Sequence, residues 1–302
     1  MELRQLQYAL RIAEEHNFSR AAEKLHIAQP SLSQQLSKLE KEIGVLLFQR
    51  TTNSVELTYA GSIFVQKAQQ IIDMVEQLKQ EMEDISEMKK GRLVIGSMPM
   101  TGSTILPFVL PVFQSAYPNI ELLLIEETSA NLEILTSQGQ TDLSLLMLPL
   151  REDTLVYDPL LEEKIVLAVP PGHSLASLYS QEKEVPVSML KNEPFIALKK
   201  GQGFRQLTKE LCERAGFTPQ IVFESSNMET IQSLVAAGMG VAFVPFFISK
   251  RAWSEMSPVH LPLQGHPTRS LVMARRKGRY MSKAAEAFVE VMKKVLAEHS
   301  YQ

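Results

Sequence analysis

A single cysteine, Cys212, among 302 residues leaves no internal disulfide to form and fits a reducing compartment. No apolar run approaches the ~18 residues that a membrane span needs, so no membrane partner is expected. The start, Met1-Glu-Leu-Arg-Gln-Leu6, has neither a basic n-region nor an apolar h-region. No secretion signal is therefore read, and a cytoplasmic location is expected. The histidines His16, His26, His173, His260, His266 and His299 show no metal-ligand spacing. Gly201-x-Gly203 lacks the third glycine and the later acidic partner of a dinucleotide site, and neither Gly-x-Ser-x-Gly nor a P-loop occurs. These absences argue against an enzyme, and neither cofactor nor metal is expected. Charge of one sign is also scarce, with a formal net charge of −3.

What is present begins with length and patterning. A chain of 302 residues, 45% hydrophobic and 22% charged, has the composition of a soluble globular protein with two or three cores. Leu3, Leu6, Leu10 and Ala13 recur at helical spacing and predict a first amphipathic helix over about 2–15. Asn17 or Ser19 can cap a second helix carrying Ala21, Ala22 and Leu25, whose small side chains let helices cross closely. Ile27-Ala28-Gln29 breaks the chain, and Pro30 fits the first turn of a third helix, where its missing N–H costs nothing.

That third helix carries the strongest functional signal. Leu32, Leu36, Leu39 and Ile43 fall within about 60° of one another and form a narrow apolar seam. Opposite them lie Ser31, Gln34, Ser37, Lys38 and Lys41: hydroxyls, an amide and two cations, without a carboxylate. Glutamine can contact adenine through two hydrogen bonds, serine serves base edge or phosphate, and lysine neutralises phosphate. Such a face alone is usually just solvated; the tri-helical layout with its short break makes it a DNA reader. Gly44 ends the helix. Two short extended segments, 45–50 and 55–58, flank the turn-forming Thr51-Thr-Asn-Ser54 and make a wing, with Arg50 and Thr51 placed to touch phosphates. Residues 1–60 hold seven cations and seven carboxylates, so one copy should bind DNA weakly.

From Thr58 to about Lys90 there is no proline, and Phe64, Ala68, Ile71, Val75, Leu78, Met82 and Ile85 alternate at spacings of four and three. This heptad seam, on a helix of roughly 45 Å, predicts pairing with a second copy. Beyond the boundary Lys89-Lys90-Gly91, strands at 92–97, 120–125 and 142–147 alternate with helical stretches. A similar set follows, with strands at 165–169, 194–198, 221–224 and 241–244, then a last strand at 270–274 and an amphipathic helix to about Leu296. Pro107 and Pro111 should kink or delay the helix over 101–116. The alternation predicts parallel βα units in two lobes, with crossings near Leu161 and His266 and a cleft between them. Ligands of open α/β sheets sit at the carboxyl ends of strands. The turns Ser97-Met98-Pro-Met-Thr101, Thr128-Ser129-Ala-Asn131 and Gly201-Gln202-Gly203-Phe204 offer N–H groups or hydroxyls at helix starts, with Lys199 and Lys200 before the last. Each alone is an ordinary cap; together they point to a small carboxylate or similar anion, with Met98 and Phe204 as apolar walls.

The N-terminal residues resemble the winged helix-turn-helix of LysR-type transcriptional regulators. The matching marks are Leu3-x-x-Leu6, Phe18-Ser-x-Ala-Ala-x-x-Leu25, Gln29-Pro-Ser-Leu-Ser33, Leu39-Glu40, Gly44, Leu47-Phe48-x-Arg50 and Leu57-Thr58-x-Ala60-Gly61. More loosely, Val169-Pro-Pro-Gly-His173-Ser-Leu175 and 238–245 match recurrent segments of the same regulators, whose effector domains look like periplasmic solute-binding proteins. The resemblance implies that Gln29, Pro30, Ser31, Ser33, Gln34 and Lys38 line the DNA-facing side while Arg50 and Thr58 hold the backbone. It also implies a linker-helix dimer, usually within a tetramer. This sequence departs from the family at Gln34, where many members carry arginine, and at Ala28, where Ser or Thr is frequent. The expected organisation is multidomain. A winged helix-turn-helix occupies 1–58 and a dimerisation helix 59–90. An α/β two-lobed effector domain follows over 91–302, with lobe 1 at 91–161 and 267–302 and lobe 2 at 162–266. The expected partners are double-stranded DNA, a small-molecule effector and further copies of the chain (dimer or homotetramer), with RNA polymerase as a candidate. A stand-alone solute-binding protein would have no use for the first ninety residues.

Overall fold

The structure, a computed structural model, describes residues 1–50, 55–85, 91–179, 183–249 and 257–298, with Arg50, Glu83 and Ile85 by their backbone alone. Thr51, His299 and the boundary Lys89-Lys90 thus lie outside the described residues, as do the side chains of Arg50 and Ile85. The chain forms two compact units, one built on residues 1–88 with 138–140 and one on 89–137 with 141–302. Among the described residues no helix is long and apolar enough to cross a membrane.

In the first unit, α1 (Leu3–Glu15), α2 (Phe18–Lys24) and α3 (Gln29–Ile43) pack around Ala9, Ile12, Ala21, Ala22, Leu32, Leu36 and Leu39. Asn17, rather than Ser19, caps α2: its Oδ1 accepts from the backbone N–H of Ser19 at 2.9 Å and of Arg20 at 3.1 Å. Gly44, at φ +77°, ends α3 in the left-handed region that favours glycine. Strands β1 (Phe48–Arg50) and β2 (Val55–Leu57) pair antiparallel, Phe48 opposite Leu57. Helix α4 (Tyr59–Ile85) then runs for about 40 Å.

The second unit begins with β3 (Gly91–Ser97), α5 (Pro99–Ala116), β4 (Ile120–Glu126), α6 (Ser129–Ser137), β5 (Leu143–Met147) and β6 (Leu155–Val169). It continues through α7 (Ser174–Leu178), β7 (Pro194–Leu198), α8 (Gly203–Arg214), β8 (Gln220–Ser225), α9 (Met228–Ala236) and β9 (Ala242–Pro245). Next come α10 (Phe246–Ser249), β10 (Val259–Pro262), β11 (Thr268–Arg276) and α11 (Lys283–Glu298). Strands β3–β4, β3–β5 and β7–β8 pair in parallel, as the βα alternation predicts. The sheets are nevertheless mixed, because β11 lies antiparallel to both β5 and β6. Strand β6 serves both lobes: it pairs with β11 through Lys164, then with β9 and β10 from Ile165 onward. Separate cores result. Lobe 1 buries Leu93, Val109, Phe113 and Phe288, the two phenyl rings meeting edge to face at 5.3 Å, and lobe 2 buries Leu167, Phe195, Ile231 and Phe243.

Two expectations need correction. Pro107 and Pro111 do not delay α5, which starts at Pro99 and runs through both; burial of Ile105, Leu106, Val109 and Phe113 offsets the lost hydrogen bonds. The first half of β6 escapes sequence reading because Pro159 and several charges interrupt the pattern. Pro159 is accommodated at a bulge, where Val272 pairs with Pro159 and its neighbour Leu271 with Leu161, leaving Leu160 extra.

His260 on β10 hydrogen-bonds Gln232 Oε1 at 2.9 Å, and burial lowers its pKa to about 4. The unfolded chain, with an ordinary histidine near 6.5, takes up a proton that the folded one refuses between those values. Stability is therefore complete above pH ~6.5 and falls by roughly 1–3 kcal/mol as pH drops towards ~4. Calorimetry across that window should show the loss in the native protein and a smaller one in His260→Asn.

Candidate nucleic-acid interface and effector cleft

The seam of Leu32, Leu36 and Leu39 is buried and Ile43 packs beside it, so α3 has one rotational setting. Pro30, Ser31, Gln34, Ser37, Lys38 and Lys41 then all face solvent, within an arc of about 120°. Gln29 and Ser33 are half-buried at its edge. Gln34 makes no hydrogen bond and Lys38 and Lys41 no ion pair among the described residues, so amide and ammonium groups are available to a partner.

The wing is fastened to this helix by a residue that sequence reading marked only as part of a motif. Glu40 Oε1 accepts from the backbone N–H of Leu47 at 2.7 Å and of Phe48 at 3.2 Å. Thr58 also turns inward: its hydroxyl donates to the Leu46 carbonyl at 2.7 Å and accepts from the Gly61 N–H at 2.9 Å, capping α4. Gly61 is needed there, since a Cβ would lie 2.0 Å from the Leu47 carbonyl oxygen.

On α4 the seam divides. Phe64 packs against the core of the first unit and Ala68 is buried, whereas Leu78 and Met82 are more than half or half exposed, at 58% and 50%. Ile71 and Val75 are half-buried, and Ile63 and Met74 add exposed apolar surface beside the seam.

In the second unit the turns at the strand ends hold the remaining expected residues. Ser97 is fully buried and donates to the Met98 carbonyl at 3.1 Å. Thr101, 3% exposed in the first turn of α5, has a hydroxyl without a hydrogen-bond partner among the described residues. Thr128 Oγ1 accepts from the Asn131 N–H at 3.3 Å and Ser129 opens α6. Gly201 takes φ +91°, Gln202 caps α8 with its Oε1 buried and unpartnered, and Gly203 is that helix's first residue. Met98, half-buried, packs against the Leu132 cluster of lobe 1, and Phe204 is buried in the lobe 2 core. Met100 reaches from α5 to the lobe 2 core. An open groove of about 390 Å³ on lobe 2, lined by Val187, Leu211, Arg214 and Gln264, includes none of these residues.

Where β6 and β11 cross, Glu163 and Arg269 are direct partners across the ladder and both nearly buried. Arg269 Nε donates to Glu163 at 2.6 Å, the Phe247 N–H donates to the same carboxylate at 3.3 Å, and the guanidinium lies 5.2 Å over the Phe204 ring. Burial pushes the Glu163 carboxyl above its usual value, with Arg269 opposing. No local pattern announces this pair, whose members stand 106 residues apart.

A solvent-facing recognition helix with a wing, followed by a two-lobed α/β unit hinged on two strands, defines a ligand-responsive DNA-binding regulator. Residues 3–62 match the bacterial regulatory helix-turn-helix protein of the lysR family, and residues 86–297 match the LysR substrate binding domain. The chain belongs to the LysR family of transcriptional regulators, which are not enzymes. It is 40% identical to YcgK of Bacillus subtilis, an uncharacterised HTH-type transcriptional regulator, over 99% of this chain and 96% of that one. It is 30% identical to the DNA-binding transcriptional dual regulator OxyR of Escherichia coli, over 99% and 97% of the two chains. The solved structure of a full-length OxyR variant from Pseudomonas aeruginosa is similar at a TM-score of 0.77 and 27% identity, covering 98% of this chain and 94% of that one.

The hydrogen bonds of Thr58 lead to a direct expectation. Thr58→Val should destabilise the first unit by about 1–2 kcal/mol, as loss of a helix cap does, while Thr58→Ser stays near the native value. Scanning calorimetry of both variants distinguishes a cap from a residue that serves DNA alone.

Proposed function

We propose that this regulator binds a promoter operator as an oligomer and that a small anionic metabolite, held between the two lobes, sets its output. The observation that carries the DNA half is the exposed, carboxylate-free arc of α3, whose amide and cations are unclaimed among the described residues. In this reading Gln29, Pro30, Ser31, Ser33, Gln34 and Lys38 meet the major groove, and Arg50, Thr51 and Thr58 follow the phosphate backbone. Residues 1–58 read DNA, 59–90 dimerise, and 91–302 bind the effector through Ser97, Thr101, Thr128, Ser129 and the turn at Gly201–Gly203. A second copy pairs along α4, where Leu78 and Met82 leave apolar surface uncovered.

Relatives of 30% identity bear the name hydrogen peroxide-inducible genes activator. A disulfide switch within one chain needs two cysteines, and this sequence has one. Cys212 is fully buried, and burial, helped by the charge of Glu213, pushes its thiol up to about 12, so the reactive thiolate is scarce. The favoured input is therefore a bound metabolite rather than thiol oxidation.

Two measurements test the reading. Gln34→Ala should cost about 1–3 kcal/mol at one base step of each half-site. Gel shifts at two salt concentrations, with matched and substituted operators, report it; identical preferences in both proteins reject that role for Gln34. Leu78→Lys should abolish tight operator binding while leaving the second unit folded, and unchanged sedimentation of this variant would sink the α4 pairing.

A further inference from the structure

Building on the cleft reading, we infer that the effector is bipolar: an amino carboxylate whose ammonium group faces lobe 1 and whose carboxylate faces lobe 2. The two helix starts that carry this inference each touch an element of the lobe junction. Met100, beside the start of α5, packs against the lobe 2 core, and Phe204, at the start of α8, lies under Arg269 of the crossing strand.

On lobe 1, Ser97 and Glu126 are partners at the ends of the parallel strands β3 and β4. A Cβ built on Gly102 would lie 3.2 Å from Glu126 Oε1 and 3.3 Å from Ser97 Oγ, so the carboxylate folds back over the start of α5. The place where the helix dipole would hold an anion already has the protein's own carboxylate beside it. Glu126 is exposed and takes part in no ion pair among the described residues. Glu127 beside it has only neutral donors, the Thr128 N–H at 3.2 Å and Asn131 Nδ2 at 3.0 Å. Among the described residues these two carboxylates thus have no cation, and Thr101, one residue before Gly102, has a buried hydroxyl without a partner.

Lobe 2 has the opposite balance. Arg205 Nη2 donates to Glu224 at 2.8 Å, which cancels that pair, but Arg205 Nη1 is buried with no acceptor. Lys199 and Lys200 are exposed on the same turn and in no ion pair among the described residues. A dicarboxylate would set its second charge against Glu126. A plain amine would leave Arg205 Nη1 and the lysines unmet. An amino carboxylate complements both walls, with charge-assisted hydrogen bonds at each end.

The test uses the full-length protein in thermal-shift and titration-calorimetry assays against the common L-amino acids, each beside its des-amino carboxylate, and against succinate and glutarate. At least one amino acid should raise the melting temperature, with its des-amino partner binding about tenfold more weakly or worse. Glu126→Gln should shrink that preference to about twofold, while Lys199→Gln with Lys200→Gln weakens amino acid and des-amino partner alike. Equal binding of amino acid and des-amino partner by the native protein, or shifts by dicarboxylates alone, overturns the inference and leaves the anion-binding cleft standing. Amino-acid binding unchanged in Thr101→Trp places the ligand elsewhere and overturns both. No shift with any amino acid overturns the inference.

Discussion

The two lobes of the effector-binding unit are joined where β6 and β11 cross, and the crossing is tied by the buried pair Glu163–Arg269. Both charges have left water, so each depends on the other: removing one partner of such a pair costs about 3–5 kcal/mol, because the survivor is stranded. The same pair reaches two further elements, α10 through the Phe247 N–H and α8 through the Phe204 ring. The start of α8 is therefore in contact with the strands that join the lobes.

The DNA-reading unit rests on a different economy. Its cations and carboxylates cancel, so its affinity depends on where the cations sit and on how many copies act together. The seam of leucines fixes the rotation of α3, and Glu40 fixes the wing against it. Both act before any DNA arrives, which lowers the ordering cost of binding. In the proposed pairing, the exposed apolar residues on the far half of α4 would supply the multiplicity. Two weak readers on one duplex bind far more tightly than either alone.

Much of this is legible from residue order because it is local. Helix boundaries in the first unit follow from Asn17, Pro30 and Gly44; the reading face follows from the phase of Leu32, Leu36 and Leu39; the family marks sit in one short stretch. The dimer seam is only half legible. Helical periodicity shows which residues share a face, but not that Phe64 and Ala68 are used by their own unit while Leu78 and Met82 are not. The long crossing strand escapes because Pro159 breaks a strand pattern, and only the bulge opposite Leu271 and Val272 makes it tolerable. The turns show where Met98 and Phe204 stand along the chain but not that Phe204 is buried in the lobe 2 core, because an apolar residue in a polar turn has two possible destinations, cleft or core.

By itself, the sequence determined the class of protein, the reading helix and its neutral charge, the heptad spacing and the presence of two α/β lobes. All of these depend on neighbours within a turn or two of helix, or on alternation along a strand. Only the tertiary structure decided which polar atoms are paired. It joined Glu163 to Arg269, turned Thr58 inward, left Thr101 and Arg205 with unmet hydrogen bonds, and laid Glu126 over the start of α5. Those facts come from residues brought together by folding, many of them far apart along the chain. The charge balance at the starts of α5 and α8 is a sum over such pairings, which spacing along the chain does not contain.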